Sequence, residues 1–141
     1  MEQINSIVIH CTKTPPAQNI GLEELYRLHR KQGMLDVSYH YIIKIDGSLQ
    51  KGRQDNTQGA HTQGHNKDSL AICLVGGVNS RGKPEDTYTL AQYVTLASVV
   101  QVLTCQHPAA EVLGHQDYPN CNTACPSFDV RTWYAETINI H

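Results

Sequence analysis

The stretch that most limits how this chain folds is SLAICLV, residues 69–75. It carries no charge and, after one small hydroxyl, no polar side chain, and it sits between Lys67-Asp68 and Gly76-Gly77. Such a run is too short for a buried helix and too evenly apolar for a strand with one wet face. It suits a strand covered on both sides, the usual setting of parallel strands. A second run, residues 6–10 (SIVIH), is β-branched, unbroken and reads the same way. Doubly buried strands need helices to cover them, and the intervening sequence carries helical patterns.

Leu22, Leu25, Tyr26 and His29 recur at helical spacing, so a helix is expected from about residues 19–21 to Gly33, where glycine favours termination. Residues 39–45 alternate as a strand, with Tyr39, Tyr41, Ile43 and Ile45 on one face and His40, Ile42 and Lys44 on the other. Asp46-Gly47 predicts a hairpin turn, and residues 48–51 the returning strand. Residues 52–67 are polar, contain glycine and hold His61 and His65; their length suits a binding loop or a flexible one. His65 is read as an ordinary solvated residue of that loop. Thr89 with Gln92 fits a capping box opening a helix over residues 90–105, although its valines disfavour helix. Pro108 stops it, residues 111–114 form the last strand and 129–138 a final helix. The expectation is α/β: a single domain over residues 1–141, a mixed β-sheet flanked by helices.

The net charge of −2 provides no basic field for nucleic acid, and no apolar stretch is long enough for a membrane span. The start, MEQINSIVIH, has an acidic residue where a signal peptide would be basic, so synthesis in the cytoplasm is expected. Five cysteines, an odd number, argue against a disulfide framework. Cys11, Cys73 and Cys105 lie in apolar stretches and read as small buried hydrophobes.

The chemistry concentrates near the C-terminal end, in GHQDYPNCNTACPSFD, residues 114–129. His115 follows one predicted strand and His10 closes another. If these strands are parallel neighbours, the two imidazoles meet at the end where such sheets gather their sites. Cys125 adds a sulfur. Two histidines and a thiolate suit zinc, and three protein ligands leave its fourth position for water, as in catalytic sites. Two other readings stay open. Cys121 and Cys125 are spaced as a structural-zinc or redox pair, though no second such pair completes four ligands. Cys125 could be a nucleophile activated by His115, although Pro126 removes a backbone N–H useful for an oxyanion hole.

Beyond spacing, the chain resembles the zinc-dependent N-acetylmuramoyl-L-alanine amidases, in particular the amidase-type lysozymes of T-odd phages, whose fold animal peptidoglycan recognition proteins share. The resemblance rests on IVIHC at residues 7–11, QNIGLEELYRLHRKQGMLDVSYHYIIKIDG at 18–47, SLAICLVGG at 69–77 and ACPSFD at 124–129. It implies one zinc ion per chain held by His10, His115 and Cys125. It also implies Tyr39 beside the attacking water, Thr123 near the oxyanion, and His61 and Asn66 along the substrate groove. Thr123 stands where phage relatives usually carry lysine, and the segment from His115 to Cys125 is about two residues longer than theirs. Cys121, inside that longer segment, becomes a possible competing ligand. His29 and His40 read as structural. The implied activity is hydrolysis of the amide between N-acetylmuramic acid and L-alanine in peptidoglycan, by a monomer acting on the wall after release, with no nucleic-acid or membrane partner. The alternative is a non-catalytic module that binds muramyl peptides. Such relatives typically lose the cysteine, so Cys125 favours the enzyme.

Overall fold

The computed structural model describes residues 3–34, 36–62, 66–119 and 121–138, so His65 lies outside the described residues. Among the described residues, five strands form one sheet: β1 (Ser6–Cys11), β2 (Tyr41–Ile43), β3 (Leu49–Lys51), β4 (Ser69–Leu74) and β5 (Glu111–Gly114). Their order is β3-β2-β4-β1-β5. β4 runs parallel to both β1 and β2, β1 is parallel to β5, and only the β2–β3 hairpin is antiparallel. Every residue of β4 is buried, as its continuous apolar sequence requires.

Helices cover both faces. α2 (Leu90–Gln106) and α3 (Val130–Thr137) pack Leu96, Val99, Val100, Leu103 and Val130 against Ile7, Ile9, Ile72 and Val112. α1 (Leu22–Lys31) lies on the other side, where Leu25 meets Val37, Ile42 and Cys73. The glycine after α1, Gly33, adopts φ +90°, and Gly47 in the hairpin turn φ +88°, a region open to glycine without strain. α2 opens with the expected capping box: Gln92 N–H donates to Thr89 Oγ1 (3.1 Å), and Thr89 N–H to Gln92 Oε1 (3.0 Å). Its valines are tolerated because Val99 and Val100 are buried against the sheet, and tertiary packing outweighs propensity. None of the described helices is long and apolar enough to cross a membrane.

Three expectations change. The strand over residues 39–45 contracts to Tyr41–Ile43, so strict alternation fails beyond it. Tyr41 and Ile43 face the α2 side, while Tyr39 and Ile45 pack with Ile42 on the α1 side. Cys105 is exposed, because the buried stripe of α2 runs through residues 96, 99, 100 and 103 and turns residue 105 outward. Tyr26 is 41 % exposed, since Leu25 and His29 alone form the buried stripe of α1.

Candidate metal centre

β1 and β5 pair in register Ile9↔Gly114. His10, one residue from the end of β1, and His115, the first residue after β5, therefore leave adjacent strands at the same edge. Their ring centroids lie 4.6 Å apart. His115 opens a short 3-10 turn, His115–Asp117, from which the chain loops round to Cys125. That loop is tied down on several sides. Gln116 N–H donates to the Cys125 carbonyl (2.9 Å) and Gln116 Nε2 to the Phe128 carbonyl (2.8 Å). Ser127 Oγ donates to the Gly77 carbonyl (2.7 Å), and the Tyr88 hydroxyl to that of Pro126 (2.6 Å). Held so, His10, His115 and Cys125 each direct one ligand atom into a common space, all within 4.8 Å of one another.

This donor set fits a zinc ion. Tetrahedral bonds of about 2.0–2.3 Å place donors about 3.3–3.8 Å apart, so the cluster closes on an ion with side-chain movements of about an ångström. The histidines are held in the ligating, neutral form. Burial, then the neighbouring His61, His115 and Lys13, pushes the pKa of His10 well below its ordinary 6.5. Burial and Lys13 lower that of His115. The thiol of Cys125 accepts hydrogen bonds from the Cys11 backbone N–H (3.1 Å) and from the Cys11 thiol (3.5 Å). The two thiols titrate as a pair: the bond between them eases the first proton off and holds the second on. Without an ion the first proton leaves Cys11 more readily than Cys125; a divalent ion held at Cys125 would draw the negative charge there.

The other expected residues are distributed unevenly around this cluster. The Tyr39 ring lies tilted beside that of His10, ring centroids 5.3 Å apart. Burial, followed by the nearby thiols, raises its pKa well above 10.0. Thr123 Oγ1 accepts from Cys125 N–H (3.2 Å), which leaves its own proton available to donate. It lines a cavity of about 400 Å³ with Cys11, Lys13, Cys125 and Ser127.

His61, expected along the substrate groove, lies largely buried. It is 9 % exposed, with Nδ1 2.9 Å from His10 Nε2 and Nε2 2.8 Å from Ser69 Oγ. It supports His10 from behind, as outer hydrogen-bond partners of metal-binding histidines do. Asn66 Oδ1 accepts from the N–H groups of His61 (2.9 Å) and Thr62 (2.8 Å) and so shapes the loop that carries His61. His40 is fully buried and structural: its Nδ1 accepts from Ala71 N–H, and its Nε2 lies 2.7 Å from the Thr57 carbonyl. His29 is likewise structural, its Nδ1 accepting from Ser38 N–H. Cys121 packs with Val8, Leu113 and Tyr118 and is absent from the donor cluster.

Sequence reasoning missed Cys11 and Lys13. Adjacency to His10 was the available signal for Cys11. Lys13 sits in the left-handed region at φ 57°, uncommon for a residue with a side chain and often seen at functional sites.

The family model described as N-acetylmuramoyl-L-alanine amidase matches residues 1–128. The chain is 39 % identical over 133 residues to an endolysin of Escherichia phage T7, covering 94 % of this chain and 87 % of that one. Among solved structures, the N-acetylmuramoyl-L-alanine amidase LysC from Clostridium intestinale superimposes with a TM-score of 0.82 at 24 % identity, over 99 % of this chain and 87 % of the other. Apis mellifera PGRP-SA does so at 0.78 and 20 %, over 98 % and 85 %. At these identities the structural matches establish a shared fold.

Proposed function

The chain belongs to the N-acetylmuramoyl-L-alanine amidase family, and on that premise we propose that it is a zinc-dependent endolysin. It cleaves the amide joining the lactyl group of N-acetylmuramic acid to L-alanine in peptidoglycan. The observation that carries this reading is the convergence of the His10, His115 and Cys125 donor atoms within 4.8 Å. His10, His115 and Cys125 would hold the ion. When bound, zinc supplies Lewis acidity, polarising the scissile carbonyl and making water nucleophilic near neutral pH.

The chain's own residues do the rest. His61 fixes the His10 ring through their 2.9 Å contact. Tyr39, its phenol pushed toward the protonated form by burial, orients the attacking water by hydrogen bonding. The Thr123 hydroxyl donates to the developing oxyanion. Being uncharged, it stabilises that charge less than an ammonium would. Lys13, on the wall of the same cavity, adds positive potential.

The protein works as a monomer on muramyl peptide, is made in the cytoplasm and meets its substrate after release. Purified protein on intact peptidoglycan, with and without chelator and added zinc, tests this. New N-terminal alanine amines without new reducing ends, lost with chelator and restored by zinc, are expected. Binding without cleavage would identify a recognition module, and chelator-resistant cleavage a cysteine hydrolase.

A further inference from the structure

The proposed chemistry uses one thiol and leaves its neighbour without a role. Cys11 lies 114 positions from Cys125 in the chain, yet their sulfurs are 3.5 Å apart. Cys11 is pressed into place from behind. A Cβ on Gly77 would stand 2.6 Å from the Cys11 sulfur, so only glycine, here at φ +98°, fits against it. The pair is nonetheless reachable. Both cysteines line the cavity of about 400 Å³ that Lys13 and Thr123 also line, and a water-sized molecule needs only about 30 Å³.

We propose that Cys11 and Cys125 form an oxidation site, at which a hydroperoxide closes a disulfide that withdraws Cys125 from the metal centre and switches it off reversibly. The regulatory consequence rests on the metal reading above; the disulfide chemistry does not. One thiolate attacks a peroxide oxygen, the O–O bond breaks, and a sulfenic acid forms as hydroxide leaves and takes up a proton. The second thiol attacks that sulfur, the S–S bond forms and water departs. Each sulfur is oxidised by one electron, and the peroxide is reduced to two molecules of water when it is hydrogen peroxide. A disulfide bond is about 2.05 Å long, so the sulfurs approach by roughly 1.5 Å. A disulfide sulfur is no longer a thiolate ligand, and two histidines alone do not retain zinc. Cys11 therefore also protects its neighbour. Without a resolving thiol, a sulfenic acid on Cys125 proceeds to sulfinic acid, which thiols do not reduce.

The test treats metal-free and zinc-loaded protein with hydrogen peroxide, followed by alkylation of remaining thiols and peptide mapping. The expected result in both is a Cys11–Cys125 cross-linked peptide with the loss of two hydrogens. The loaded form should release its zinc to a chromophoric chelator in step with the cross-link, and dithiothreitol should restore zinc binding. Cys11→Ser should give no cross-link and a loss of zinc binding that dithiothreitol does not reverse. Joining of Cys125 to Cys121, or sulfinic acid on Cys125 of the unaltered protein without the cross-link, overturns the proposal. The metal-free arm decides the disulfide even if Cys11→Ser fails to fold. Failure of the reduced protein to take up zinc would count against the metal reading and leave that arm intact.

Discussion

Along one edge of the sheet, two pairs of parallel strands end in opposite ways. At the ends of β2 and β4, Gln92 donates to the carbonyls of Ile43 (3.3 Å) and Val75 (2.9 Å), while its oxygen accepts from Thr89 N–H. That side chain is 1 % exposed and uses every group it has, so the end is closed. At the ends of β1 and β5, three electron-pair donors converge instead, within 4.8 Å. Such donors repel unless a proton or a cation sits between them. The same architecture thus produces a seam that serves stability and a cluster that calls for an ion. Donor complementarity in the first case, and its absence in the second, marks the difference.

Four substitutions bear on that contrast. Cys125→Ala deletes the cluster's only thiolate, and zinc affinity should fall by more than the ~10–100-fold typical of losing a supporting residue. Equilibrium dialysis measures this, and retained stoichiometric zinc would break the contrast by making the thiolate dispensable. His61→Ala removes the partner of His10, and affinity should drop about 10–100-fold with the ligands still present. An unchanged value in the same dialysis would show that packing alone orients the His10 ring. Gln92→Ala leaves the buried Val75 carbonyl without its side-chain donor, which should cost about 1–3 kcal/mol in urea unfolding while zinc binding stays intact. Altered zinc binding there would show that the two ends are not independent.

The smallest effect concerns pH. His10 and His115 are both lowered from 6.5, so below that value the unfolded chain binds more protons than the folded one. Stability of the metal-free protein is thus fully present above 6.5 and falls as pH drops toward the folded values. Lys13→Ala removes a charge that lowers both histidines, so their folded values should rise toward 6.5 and this acid limb, read by unfolding across pH, should become shallower. An unchanged limb would mean that solvent screens the exposed ammonium completely.

Periodicity and end signals made much of the fold legible. The apolar run at residues 69–75 became β4, Thr89 and Gln92 capped α2, and residues 111–114 formed β5. Reading failed where local pattern outran its physical cause. Alternation holds only within the hydrogen-bonded ladder, so Tyr39, two residues before β2, packs on the α1 side and meets His10. The expected ligands were legible as residue types at strand ends. The contact of His61 with His10 and that of Cys11 with Cys125 were not, because nothing local encodes a partner 51 or 114 positions away.

Local sequence thus settles which segments become strands and helices, since backbone preference, capping and burial pattern act over a few residues. It also places a histidine at the end of each of two strands. Packing in three dimensions settles that β1 lies between β4 and β5, which makes those histidines neighbours, and that hydrogen bonds from Gln116, Ser127 and Tyr88 draw in the loop bearing Cys125. A three-donor cluster depends on chain segments far apart in sequence, and only burial of the shared sheet supplies the free energy that holds them together.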